Sequence, residues 1–202
     1  MKENYLRVEN KKQKLLREFQ NGKIDRRTFL TRLAALVSLS VVSPSLMRCK
    51  RQNERNQEVF SEKRWNILNI VQNHLFPSDK DSPGAKDINA AFYLQNVLLD
   101  PQIDSDDKEF ILNGLDWTEE TADELLSDSL LNLNKDDIEK VLRNMAEYQW
   151  GENWLSEILI YIFEALLTDP IYGGNPNGIG WKWLQHDPGL PRPNEKNRYG
   201  VL

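Results

Sequence analysis

Between Trp154 and Leu167 the chain is almost wholly apolar, with Ile158, Leu159, Ile160, Tyr161, Ile162 and Phe163 in succession. A helix that is apolar around most of its circumference is stable only where other elements cover it on most sides. The run is too short for a bilayer crossing, which needs about 20 apolar residues. It is therefore expected to be the central helix of a folded core, and the rest of the chain must supply the elements that wrap it.

Those elements are legible as apolar spacings between breakers. Ser61 can cap a helix that carries Trp65, Leu68, Val71 and Leu75 along one stripe until Pro77 stops it. After the turn Ser78 to Gly84, the span Ile88 to Leu99 has a helical rhythm that Asp100-Pro101 breaks. Asp106 to Leu126 reads as a third helix, with Phe110, Leu115, Trp117, Ala122 and Leu125 as core candidates, although Gly114 weakens it by about 1 kcal/mol relative to alanine. Asn134 is the expected N-cap of a fourth helix over Asp136 to Trp150, where Ile138, Val141, Leu142 and Met145 share a face and the early acids suit the helix dipole. From Asp169 onward proline and glycine predict an extended, turn-rich tail laid over the bundle or over a partner. The fold class is mainly α, a compact bundle of about five helices followed by a Gly/Pro-rich extended C-terminal tail. No alternation requires a sheet, and no internal repeat is present.

Charge divides the 202 residues unevenly. Met1 to Arg48 carries 11 Lys and Arg against 4 Asp and Glu, which leaves 15 basic and 27 acidic residues from Cys49 onward, near −12. So acidic a body repels phosphate backbones and anionic headgroups within a Debye length, which disfavours nucleic acid as a partner. Cys49 is the only cysteine, so an internal disulfide, a thiolate cluster and a Cys-x-x-Cys-His haem site are all excluded for the chain. With only His74 and His186, a histidine-rich metal site is not expected either.

The basic N-terminus has its own organisation. Leu33 to Met47 is apolar or small, flanked by Arg32 and Arg48, which matches the short h-region of an export signal. Just upstream, Asp25-Arg26-Arg27-Thr28-Phe29-Leu30-Thr31 resembles the twin-arginine export signal, with Arg26, Arg27, Phe29 and Leu30 at the expected offsets. It departs from the strongest form at Asp25, where Ser or Thr is usual, and at Thr31, where Lys is frequent. That route carries folded cargo, as a partner that has already taken up its cofactor in the cytoplasm requires. Leu46-Met47-Arg48-Cys49 partly resembles a lipobox, with Arg48 where a small residue is wanted. Cys49 is thus either a lipid-attachment site or a lone thiol, and a single lipid would need the complex to hold it at the membrane. The resulting organisation is an export signal over 1–48, a polar tether over 49–58 and a helical domain over 59–202.

Two further segments carry a family resemblance. Asn73-His74-Leu75-Phe76-Pro77-Ser78-Asp79 with Ser82-Pro83-Gly84-Ala85 is similar to the helix-end, Pro-x-Asp and Pro-Gly-Ala pattern of gluconate 2-dehydrogenase subunit 3 proteins. Asp169-Pro170-Ile171-Tyr172-Gly173-Gly174-Asn175, then Gly180-Trp181-Lys182 and Pro188-Gly189, is the more specific match. The intervening helices correspond only in length and pattern. The resemblance implies a small subunit that accompanies an FAD-containing large subunit of the glucose–methanol–choline oxidoreductase type, often with a membrane-associated cytochrome c. FAD and haem c would then belong to the partners, and this chain would support export and stability of the large subunit in the periplasm or cell envelope.

The residues agree with that division of labour, since no Gly-x-Gly-x-x-Gly opens a βαβ unit and no residue set identifies a catalytic centre. Tyr172, Gly173, Gly174 and Asn175 read first as a turn that needs positive φ. Trp181 and Trp183 either anchor a partner interface or close the domain's own core. His74, at a helix end, reads as a structural histidine, whereas His186 in the tail is placed to reach toward a partner's active site. The acidic Asp104-Asp106-Asp107 reads as a solvated helix start. Tyr172, Gly173, Gly174, Asn175, Trp181, Trp183 and His186 are therefore the candidate partner-contact residues. Two rival functions remain: an envelope lipoprotein that binds a non-redox partner, and an independent envelope enzyme built on the acids and His186.

Overall fold

The computed structural model describes residues 59–199, which belong to a unit spanning Gln57–Leu202. Arg26, Arg27, Phe29, Leu30, Cys49 and the whole of the tether lie outside the described residues. Six α-helices and no strand occur among the described residues: α1 Glu62–Leu75, α2 Ala90–Leu98, α3 Ser105–Leu126, α4 Lys135–Ala146, α5 Gln149–Leu167 and α6 Ile179–Leu184.

The apolar helix takes the central place its composition demands. Trp154, Leu155, Ile158, Leu159, Tyr161, Ile162, Phe163, Ala165 and Leu166 of α5 are all buried, and α1, α2, α3, α4 and α6 each pack against it. No helix among the described residues is long and apolar enough to cross a membrane.

Local chemistry starts most of the helices that surround it. Ser61 Oγ accepts from Arg64 N at 3.3 Å and begins α1. Asp104 accepts from Asp106 N at 2.8 Å ahead of α3, and Asn134 accepts from the N–H groups of Asp136 and Asp137 ahead of α4. Each cap satisfies donors that a helix start otherwise leaves unpaired. A two-bond ion pair then ties α1 to α3: Arg64 Nε and Nη2 donate to Asp116 at 3.0 and 2.6 Å. The hydrogen bond from Arg64 holds the Asp116 carboxyl below its ordinary range, against a smaller opposing effect of burial.

Several expected boundaries shift. Ile88 is fully buried but lies in a turn, and α2 starts only after Asn89, whose φ is +55°. The helix expected over Asp136 to Trp150 breaks at Glu147-Tyr148, so Gln149 and Trp150 open α5. A β-carbon at Gly151 would collide with the Met145 carbonyl, so the break brings the two backbones into a contact that only glycine permits. The stripe of α1 is rotated: Ile67, Leu68 and Val71 are buried, while Trp65 and Leu75 are only half covered. Leu125, expected in the core, is exposed near the end of α3. Phe110 and Trp117 are half-buried and join Trp150 in an edge-to-face row, with centroids 6.2 and 5.1 Å apart. The region after Asp169 is also less extended than its composition suggests, because it holds two 3₁₀ turns, Pro170–Tyr172 and Pro176–Gly178, and the short α6.

Gly114 has a packing reason that propensity alone misses. It faces Trp154, whose indole N–H donates to the Ile111 carbonyl at 3.2 Å, and an added β-carbon would overlap the indole ring. Helix propensity alone would have Gly114→Ala stabilise α3 by about 1 kcal/mol. The clash instead predicts a loss of about 2 kcal/mol, the scale of an overpacked core. Urea unfolding followed by circular dichroism gives the sign; a midpoint above that of the unmodified chain would show that the tryptophan does not depend on this gap.

Candidate functional site

The two segments that carried the resemblance, far apart in sequence, meet in the fold. The first forms the end of α1 and the link to α2. There Asp87 accepts from Ser78 Oγ at 2.5 Å and Gly84 N at 2.8 Å, and these bonds hold its carboxyl below the usual range. Ala85 N donates to the Phe76 carbonyl at 2.7 Å. Phe76, almost fully buried, stands edge-on to Phe163 of α5 and to Trp183 of α6, at 6.0 and 6.3 Å. The first segment thus touches the second through an aromatic contact at Trp183.

Asn175 makes the second connection. It is completely buried with φ +50°, a backbone conformation asparagine tolerates better than most residues. Its N–H donates to the Ile88 carbonyl at 2.9 Å, its Nδ2 to the Thr168 carbonyl at 3.0 Å, and its Oδ1 accepts from Gly180 N at 2.7 Å. One residue therefore ties the end of α5 and the start of α6 through its side chain and the turn before α2 through its backbone N–H. Gly173 and Gly174 bring it into place. Gly173 has φ +98°, and a β-carbon there would run into the Asn96 carboxamide and Phe92. At Gly174 a β-carbon would lie 2.7 Å from the Ala165 carbonyl.

Trp181 is 8% exposed and donates its indole N–H to the Leu167 carbonyl at 2.8 Å. The tail returns across it, with the Arg192 guanidinium 4.6 Å from the ring centroid and Arg192 Nε bonded to Asp169 at 2.8 Å. Burial pushes the Asp169 carboxyl upward, but the bonds from Arg192 and Ile171 N outweigh it and hold the group below its ordinary range. These groups frame an open groove of 790 Å³ that Lys182 and the exposed His186 also line. Of the candidate contact residues, the structure gathers Trp181 and His186 here, while Asn175 and Gly174 are enclosed within the chain. His74 is bonded through Nε2 to Glu139 of α4 at 2.5 Å, away from the groove.

Tyr172 belongs to a different concavity, which the sequence did not signal. A cavity of 430 Å³ lies between α2, the α2–α3 link, the end of α5 and the tail. Tyr93 Oη donates to Glu164 at 3.2 Å on one wall. Across the mouth, Tyr199 donates its N–H to Tyr172 Oη at 3.0 Å and its hydroxyl to Gln102 at 2.6 Å. Burial, and then the Glu164 charge, push the Tyr93 phenol well above its ordinary pKa, so it stays a neutral donor. These residues come from four separate stretches and have no motif spacing, so only the tertiary structure shows that they converge.

The knot at Asn175 makes a quantitative prediction. Asn175→Ala leaves the buried Gly180 N–H and Thr168 carbonyl without partners and places alanine at positive φ, which together cost about 3 kcal/mol. Urea unfolding should show that loss; an unchanged midpoint would mean the C-terminal segment is held elsewhere.

Neither a curated protein nor a solved structure matches the chain. The family model described as gluconate 2-dehydrogenase subunit 3 matches residues 62–189. That span runs from the first turn of α1 through α6 into the tail and takes in both clasping segments, so the chain belongs to the gluconate 2-dehydrogenase subunit 3 family.

Proposed function

We propose that this chain is the non-catalytic accessory subunit of a membrane-associated, FAD-dependent dehydrogenase acting on a sugar, sugar acid or alcohol. In this reading it is exported to the periplasm by the twin-arginine route and stabilises an FAD-containing large subunit of the glucose–methanol–choline type. A cytochrome c carrying haem would be the further partner at the membrane, with Cys49 as a point of lipid attachment. The observation that carries the reading is the family match across residues 62–189.

The geometry supports a scaffolding role in a specific way. Asn175 and Trp181 use their polar atoms to close this domain on itself, so the most distinctive segment builds a rigid body. A rigid body binds without the entropic cost of ordering a loop at the moment of association. Lys182 and Arg192, around the open groove, offer cationic groups to a partner surface, and the exposed His186 stands beside them.

The test is a gentle pull-down of the full chain from native envelopes, with mass spectrometry of the captured chains and an absorbance spectrum. A stoichiometric oxidoreductase with a flavin spectrum is expected. A preparation free of flavin and dehydrogenase from an intact envelope fraction would overturn the proposal in favour of a lipoprotein with a non-redox partner. Export is tested separately by Arg26→Lys with Arg27→Lys, which should abolish delivery to the envelope; undiminished delivery would exclude the twin-arginine route.

A further inference from the structure

The space between α1 and α2 holds a polar group that neither the clasp nor the core uses. Gln72 of α1 is 1% exposed, and its Nε2 is the one buried side-chain nitrogen or oxygen among the described residues without a hydrogen-bond partner. A buried donor left unpaired costs more than a hydrogen bond returns, so such a group asks for a partner. Gln72 also lines a pocket of 120 Å³. Trp65, Asn69 and Asn73 line it from the same helix, at spacings of four, three and one that put them on one face with Gln72. Opposite stand Ala90 and Ala91 of α2, whose small side chains leave the gap open, and the half-exposed Phe92.

The neighbouring carboxamides are held in place by bonds that leave specific atoms free. Asn69 Nδ2 donates to the Trp65 carbonyl at 2.8 Å, and Asn73 Nδ2 donates to the Asn69 carbonyl at 2.7 Å. Asn73 Oδ1 accepts from Lys86 N at 3.2 Å, which fixes the link against α1. The pocket therefore presents the Asn69 Oδ1 acceptor and, one helical turn on, the Gln72 donor. The terminal torsion of glutamine is broad, so the carboxamide of Gln72 can turn either end to the space it lines. An ammonium only donates and leaves the Gln72 N–H groups facing its own. A carboxylate only accepts and sets its oxygens against Asn69 Oδ1. A hydroxyl does both from a single atom, whereas an amide does both from two atoms, which suits partners one turn apart. Trp65, Ala90, Ala91 and Phe92 supply apolar wall for the rest of such a group.

We propose that this pocket binds a neutral amide, whose carbonyl accepts from Gln72 and whose N–H donates to Asn69. Two sources share this chemistry: a small free amide, or an asparagine or glutamine side chain of a partner subunit. The site is built from α1 and α2 alone, so it holds or fails independently of the flavoprotein reading.

The experiment is saturation-transfer NMR of the full chain with acetamide, compared with acetate, acetamidinium and isopropanol as anionic, cationic and hydroxyl probes of the same size. Acetamide is expected to give a saturable signal that the other three do not match. Gln72→Met keeps the length of the side chain and removes its hydrogen-bonding groups, so it should weaken acetamide about tenfold, the scale of one hydrogen bond, without lowering the urea midpoint. Asn69→Ala removes the acceptor and should weaken it similarly, and far-UV circular dichroism shows which variants are folded. No saturable acetamide signal, which leaves the space to solvent, would overturn the proposal. So would an equal signal from any of the other probes, or unchanged affinity in a folded variant. Repeating the measurement on the chain captured from envelopes with its partner separates the sources. Loss of acetamide binding there assigns the amide to a partner side chain, and retained binding assigns it to a free molecule.

Discussion

A helix that is apolar on most sides cannot stand at a surface, and the architecture of this domain is the response of the remaining chain to that constraint. α5 buries residues around most of its circumference, and all five other helices among the described residues touch it. The cover is assembled from several helices whose order follows the breakers between them. At about 25 cal/mol per Å² of apolar surface removed from water, covering α5 outweighs any single polar contact in the domain. The ion pair Arg64–Asp116, the Asp87 turn and the His74–Glu139 bond act as locators on a body already held together by burial, since partly exposed ion pairs contribute little by themselves.

The C-terminal segment completes the cover by a different means. It has too few apolar residues to close by burial alone, so it closes by satisfying backbone groups. Asn175, Trp181 and Asp169 each bond main-chain atoms near helix ends or in turns, where donors and acceptors are otherwise unpaired. Phe76 and Trp183 add an aromatic contact between the two segments. This explains why features so far apart in sequence occur together in one family pattern: they are two halves of one clasp. It also explains why glycine is required at 173 and 174, where a side chain would strike α2 or α5.

The clasp leaves the described domain with two unlike concavities. One is open and rimmed by Trp181, Lys182, His186 and Arg192. The other is smaller, tyrosine-lined and acidic. The same tail bounds both, through Arg192 over Trp181 and Tyr199 over Tyr172.

Much of this was legible in the residues, because it depends on local rules. The capping roles of Ser61 and Asn134, the stops at Pro77 and Asp100-Pro101 and the burial of α5 all follow from side chains acting on their own backbone or from apolar periodicity. What escaped depended on contacts between distant residues. Gly114 reads as a flaw in a helix until Trp154 is seen against it, Leu125 reads as core until its place near the end of α3 is found exposed, and Asn175 reads as a turn residue until its three partners are in place. The acidic cavity draws Tyr93, Asp100, Glu164 and Tyr199 from stretches with no shared spacing. By itself the sequence determined the helical class, the central helix and the family pattern, because periodicity and capping act within a few residues. Only the tertiary structure decided which glycines are packing sites, how the two family segments clasp and where the charged cavity forms, because those depend on close approach between residues that the chain keeps far apart.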